Sequence, residues 1–144
     1  MNVAEALDQF RRECRSRGLA CTHQREVIYQ ALISCGEHPS PEAIFELVRQ
    51  QIPSISLATV YKNIRLFIDA GLIAEVSLHH GPARLETNLQ PHHHFVCVTC
   101  KRIFDLPVED FEPVRLKRPL PAGFRVRRFT VEGSGYCPDC SPDN

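Results

Sequence analysis

The chain has 144 residues, 17 basic and 17 acidic, with 43% hydrophobic and 24% charged residues. That length suits one ordinary domain or two very small ones, and the zero formal charge excludes a uniformly basic surface while leaving room for a local basic patch. No apolar run approaches the roughly 18 residues that span a bilayer, and the opening Met1-Asn2-Val3-Ala4-Glu5 lacks the basic start and apolar core of an export signal, so a cytoplasmic protein with no membrane partner is expected.

Residues 3–17 place Val3, Leu7, Phe10 and Cys14 on an i, i+4, i+7, i+11 stripe, which predicts a helix stopped at Gly18. Thr22 caps a second helix that buries Val27, Ile28, Ala31 and Leu32 and ends near Gly36. Ser40-Pro41 is an N-cap followed by proline at the first helical position. That third helix buries Ile44, Leu47 and Val48 and stops before Pro53. Ser56 caps a fourth over 57–70, with Val60, Ile64, Phe67 and Ile68 inward and Gly71 as terminator. The period then changes: 72–78 and 83–87 flank His79-His80-Gly81-Pro82, two strands and a turn. Short helices followed by such a hairpin form the winged helix-turn-helix pattern, whose last helix before the hairpin enters the DNA major groove.

Gln90-Pro91 is a plausible hinge, dividing the chain into 1–89 and 90–144. Beyond it, 95–98 and 102–106 read as strands around a Cys-x-x-Cys turn, 108–118 as a helix that Pro113 would interrupt, and 124–131 as a further strand. The fold class expected is therefore α+β, an N-terminal winged helix followed by a small α/β domain.

Seven cysteines and seven histidines are an excess in so short a chain, and without an export signal the thiols read as ligands or core residues rather than disulfides. Cys97, Cys100, Cys137 and Cys140 form two Cys-x-x-Cys knuckles, which together complete the tetrahedral S4 shell of a structural zinc site. A thioredoxin-like redox pair needs a βαβ context that is missing. The spacing between the knuckles leaves room for a strand and a helix. Cys14, Cys21 and Cys35 fall in helical stripes or at helix edges and read as core. In the strand opened by His92-His93-His94, alternation puts His92 and His94 on one side and His93 on the other. If His38, Glu86 and Asp105 meet them at the hinge, the set is N3O2, which suits Fe(II), Mn(II) or Zn(II). His79 and His80 at the hairpin tip read as solvated side chains or phosphate contacts.

Thr22-x-x-Arg25, Ser56-Leu57-Ala58-Thr59-Val60-Tyr61-Lys62-Asn63, the run from His92 through Cys100, and the final Cys137-x-x-Cys140 together resemble the ferric uptake regulator family over about residues 5–140. The resemblance implies a homodimeric, metal-responsive bacterial repressor that binds palindromic, A/T-rich operator DNA and is no enzyme. It implies a winged-helix DNA-binding domain over 1–89 and a dimerisation and metal-binding domain over 90–144. By the same likeness His38, Glu86, His92, His94 and Asp105 match the sensory Fe2+ or Mn2+ site, and the four cysteines match the structural Zn2+ site. Tyr61 and Lys62 match base-contacting positions, Arg25, Ser56 and Thr59 are placed for the DNA backbone, and Arg15 or Arg17 for the minor groove. Three departures stand out. Pro91 and Arg128 occupy positions where a further histidine would build an accessory metal site, so that site is expected to be absent. His23 replaces a common proline, and the Pro-rich 113–121 shortens the dimerisation helix.

The inducer is less sharply written. No cysteine lies between Cys35 and Cys97, which disfavours a zinc sensor, and the missing accessory site with Asp105 resembles peroxide-sensing members. Glu86 resembles iron-uptake members, where peroxide sensors typically have Asp. Peroxide sensing is the first reading, iron-responsive repression the second, with manganese- or haem-linked branches behind. Two histidines and a carboxylate also occur in non-haem iron enzymes, but the sequence suggests no substrate pocket. A zinc-stabilised interaction module is a third class, and it predicts no sequence-specific DNA affinity.

Overall fold

Each of the four helices begins with a side chain that accepts a backbone N–H, in a computed structural model that describes residues 2–36, 38–78 and 81–142. Helix α1 (Val3–Ser16) carries a reciprocal Asn2–Glu5 capping box, while Thr22, Ser40 and Ser56 cap α2 (His23–Ser34), α3 (Pro41–Gln51) and α4 (Leu57–Asp69). Each such cap contributes about 1 kcal/mol by satisfying an orphan amide. Gly18 and Gly71, at φ +67° and +72°, end α1 and α4 in the left-handed conformation that a side chain resists.

Met1–Leu89 and Gln90–Asn144 are two separate compact units. In the first, one stripe from each helix meets in a single apolar core. Phe10 stacks on Tyr29 with ring centroids 4.2 Å apart and meets the edge of Phe67 at 5.4 Å. Ile28, Ile44, Val48, Val60 and Leu85 are fully buried around them, and burying a side chain of that size stabilises by roughly 1.5–3 kcal/mol. The stripes are those the sequence predicts, except that Val3 is exposed and Leu7, Leu47 and Ile68 are half-buried. Strands β1 (Ala74–Val76) and β2 (Arg84–Glu86) pair antiparallel, Ala74 opposite Glu86, and complete the winged helix. They are shorter than the 72–78 and 83–87 expected. His79 and His80 lie outside the described residues.

In the second unit β3 (His92–Cys97) is central. It pairs antiparallel with β4 (Ile103–Pro107) and parallel with β5 (Glu132–Gly135). Two expectations fail here. The helix over 108–118 reduces to one 3-10 turn, Val108–Asp110, because Pro113 removes a donor and Pro119 and Pro121 prevent a restart. The strand over 124–131 is irregular and exposed. Its neighbour Glu132-Gly133-Ser134-Gly135 pairs instead, since the Phe95 ring lies against that strand: a Cβ on Gly133 would sit 3.0 Å from the ring. The loop between the knuckles therefore holds two strands and a 3-10 turn rather than a strand and a helix.

Candidate metal centres and nucleic-acid interface

The four knuckle thiols converge within the second unit. The end of β3 delivers Cys97, a turn closed by Lys101 N–H donating to the Cys97 carbonyl delivers Cys100, and the turn after β5 delivers Cys137 and Cys140. Their sulfurs all lie within 4.8 Å of one another, and Cys100 and Cys137 are 3.8 Å apart. Four sulfurs placed about 2.3 Å from a tetrahedral zinc are separated by about 3.8 Å, so the cluster fits that ion. The Cys97 thiol is pulled down to about 6 by backbone N–H groups of Cys100 and Cys137, and Cys137 is lowered by the Arg102 guanidinium. Cys140 moves the other way, to about 12, because a neighbouring Cys137 thiolate holds the proton there. A cation in the centre removes that conflict by binding all four as thiolates. Cys14 is buried and Cys21 and Cys35 half-buried in the first unit, as core thiols.

Each unit carries part of the expected sensory set. In the first, the loop between α2 and α3 is fastened to β2 by the Leu85 N–H, which donates to the Pro39 carbonyl at 2.9 Å. This places His38 Nε2 3.5 Å from Glu86 Oε2, both side chains nearly buried. In the second, His94 pairs across the ladder with Asp105, whose carboxylate lies 3.6 Å from His94 Nε2 and 3.3 Å from His92 Nε2. Donors sharing an ion at about 2.1 Å stand roughly 3.0–3.4 Å apart, so the 3.3–3.6 Å seen here needs only a small contraction around a borderline cation. His92 Nδ1 lies 2.6 Å from the Gln90 carbonyl, which fixes the N–H on that nitrogen and turns the Nε2 lone pair toward Asp105. His93 faces the other way, accepting the Val131 N–H and packing its ring on Phe111.

The candidate DNA-reading residues sit in the first unit. Tyr61 and Lys62 are exposed on α4, whose opposite face buries Val60, Ile64 and Phe67. Ser56 and Thr59 join the cap of that helix, their hydroxyls 2.9 Å apart. Arg15 and Arg17 are exposed at the end of α1, and Arg17 pairs with Glu13 at 3.0 Å. The Tyr61 hydroxyl donates to Glu42 at the start of α3, which holds that carboxyl below its ordinary range and pushes the phenol up. Sequence reasoning missed Asn63. Its Oδ1 accepts from Arg25 Nε at 3.0 Å and its Nδ2 donates to the Thr59 carbonyl, fastening Arg25 to α4. The signal was present as one amide on an otherwise apolar buried face.

The sequence model of the ferric uptake regulator family matches residues 16–133. The chain belongs to the ferric uptake regulator family. Members of this family are transcriptional regulators rather than enzymes. The peroxide-responsive repressor PerR of Staphylococcus epidermidis is 28% identical over 142 residues, 99% of this chain and 95% of that protein. The ferric uptake regulator of Helicobacter pylori superposes with a TM-score of 0.72 at 19% identity, covering 99% of this chain and 96% of that one. PerR from Streptococcus pyogenes, a structure described in terms of peroxide sensing and gene regulation, gives 0.53 at 26% identity over 94% and 93% of the two chains. The α+β ferric-uptake-regulator fold is thus shared across nearly the whole chain.

Proposed function

We propose that this protein is a metal-dependent transcriptional repressor that binds operator DNA as a homodimer through its winged helix and responds to peroxide. The observation that carries the reading is the pair of donor groups, His38 with Glu86 and His92 with His94 and Asp105, one in each compact unit. The relatives named peroxide-responsive repressors point the same way. In this reading all five residues serve one Fe(II) or Mn(II), and the four cysteines hold a structural zinc. Sharing one ion restricts the hinge at Gln90-Pro91 and selects the dimer whose recognition helices match palindromic half-sites. Moving that balance from 1:99 to 99:1 requires about 5.5 kcal/mol of preference for the closed state.

Held by these residues, Fe(II) would supply the single electron that starts cleavage of the peroxide O–O bond; overall the peroxide takes two electrons from an imidazole, one oxygen entering the ring and the other leaving as water. The chain supplies imidazoles whose orientation is fixed, as His92 is by the Gln90 carbonyl, and whose Nε2 lone pairs are lost as ligands once the ring is oxidised. Glu86 favours a second reading, iron-responsive repression: its longer side chain reaches His38 and can close the coordination position that peroxide needs. Mass spectrometry of Fe(II)-loaded protein after dilute peroxide separates the two. One added oxygen on a peptide containing His38, His92 or His94, with loss of operator binding in a gel shift, supports peroxide sensing. Unmodified protein that keeps its DNA affinity refutes it and leaves the iron-responsive repressor. The Mn(II) form serves as the resistant control. An operator gel shift indifferent to metal refutes both.

A further inference from the structure

Six of the 17 basic residues, Arg115, Lys117, Arg118, Arg125, Arg127 and Arg128, fall between Pro113 and Val131, a stretch with no carboxylate. The Pro-rich sequence keeps it out of helix and sheet, and all six side chains are exposed. Among the described residues none of the six enters an ion pair, whereas Arg11, Arg17, Arg49, Arg65 and Arg102 each do. Phe124, 66% exposed, and Phe129 lie among them. A chain of zero net charge has thus gathered about a third of its cations on one segment of the second unit.

We propose that residues 113–131 form a second binding surface, one that holds the phosphate backbone of DNA without reading its sequence. Charge complementarity selects the occupant. The neighbouring acidic run of a second copy, Glu109, Asp110 and Glu112, offers three carboxylates to six cations and leaves half of them unmatched. A duplex offers one phosphate per about 1.7 Å of its axis and can match them all. The inference rests on the reading that the protein works on DNA, and it adds contacts that Tyr61 and Lys62 do not make. Such a surface lets a repressor engage flanking or separate duplex and lengthens its residence near an operator.

The test is the salt dependence of binding to non-operator duplex DNA by the full-length, zinc-loaded chain. Each engaged cation contributes about 0.9 to the slope of log K against log salt. Replacing all six with Gln should flatten that slope by up to about 5 per protomer. Two triple variants, at 115, 117 and 118 and at 125, 127 and 128, should each give part of the loss. Replacing the five arginines with lysine should restore the slope, because lysine keeps the charge that the phosphates meet. An unchanged slope in a folded six-Gln dimer overturns the proposal. So does conversion to monomer, which assigns the cations to the second copy, or loss of binding to phosphatidylserine vesicles alone. Should the six-Gln chain misfold, crosslinking of wild-type protein to the same duplex decides: adducts within 113–131 support the surface, and adducts confined to the first unit overturn it. A wild-type chain that binds no DNA at all overturns this proposal and the repressor reading together, whereas operator binding with an unchanged non-operator slope overturns this one alone.

Discussion

Replacing Asn63 by Ala tests whether the amide couples α4 and Arg25 as the geometry indicates. Asn63 is 6% exposed, accepts from Arg25 Nε at 3.0 Å and donates to the Thr59 carbonyl at 3.0 Å. A hydrogen bond to a charged group contributes about 1.5–3 kcal/mol when its partner cannot turn to water. Arg25 is half-buried and keeps its bond to the Ala20 carbonyl, so the lower end applies. Alanine returns roughly 0.5 kcal/mol through its helix propensity. The expected net loss is about 1–2 kcal/mol, a fall in Tm of roughly 4–16 °C for a unit of this size. Urea denaturation of the single variants, Asn63→Ala and Arg25→Ala, and of the double variant closes a thermodynamic cycle. Contacting residues in one network should show coupling of at least about 0.5 kcal/mol. Additivity to within about 0.3 kcal/mol would refute the bridge and leave Asn63 a mere helix position.

Cys100→Ser should lose zinc and, with it, the dimer and the fold of the second unit, because binding energy at such a site is folding energy; zinc analysis with sedimentation checks it, and a zinc-free, well-folded dimer contradicts it. Phe67→Ala, which removes a fully buried ring in contact with Phe10 and Tyr29, should cost about 3–5 kcal/mol by denaturant titration. Lys62→Ala should cost about 1–3 kcal/mol in operator affinity and relax base preference in a binding-site selection. Finally, the Arg11 guanidinium holds the Glu26 carboxyl below its usual 4.5, so that pair stabilises above this pH and its contribution is lost as pH falls below it. In Arg11→Gln the acid limb of the stability profile should flatten; an unchanged limb sinks the assignment.

The first unit was legible because every level of its sequence agrees. Thr22, Ser40 and Ser56 stand where caps are needed, glycine or proline follows the helices, and the apolar stripes run at helical period. The second unit breaks those rules. Residues 124–131 place two Phe, two Val and a Thr among three Arg and look like a strand, yet the paired segment is Glu-Gly-Ser-Gly. Its glycines are explained only by the Phe95 ring, a contact that one-dimensional period cannot reveal. The knuckle cysteines were readable because two-residue spacing has few other uses, and their sulfurs do converge. The facing of His92 and His94 away from His93 followed from strand alternation alone, and their rings lie 4.5 Å apart. Asn63 was hidden because its partner is 38 residues away in sequence.

Strand β3 carries His92 and His94 at its beginning and Cys97 at its end, with only Phe95 and Val96 between the two kinds of chemistry. Side chains on a strand alternate faces, so a slip of one residue against β4 would turn both imidazoles away from Asp105 and present His93 instead. A polar strand that begins with three consecutive histidines has little in its own composition to forbid such a slip. The thiol cluster forbids it from the far end, since Cys97 cannot move one position without leaving its three partners. The cysteine site thus works as a register pin, and the accuracy of the histidine geometry is inherited from an anchor about 10–16 Å along the same strand.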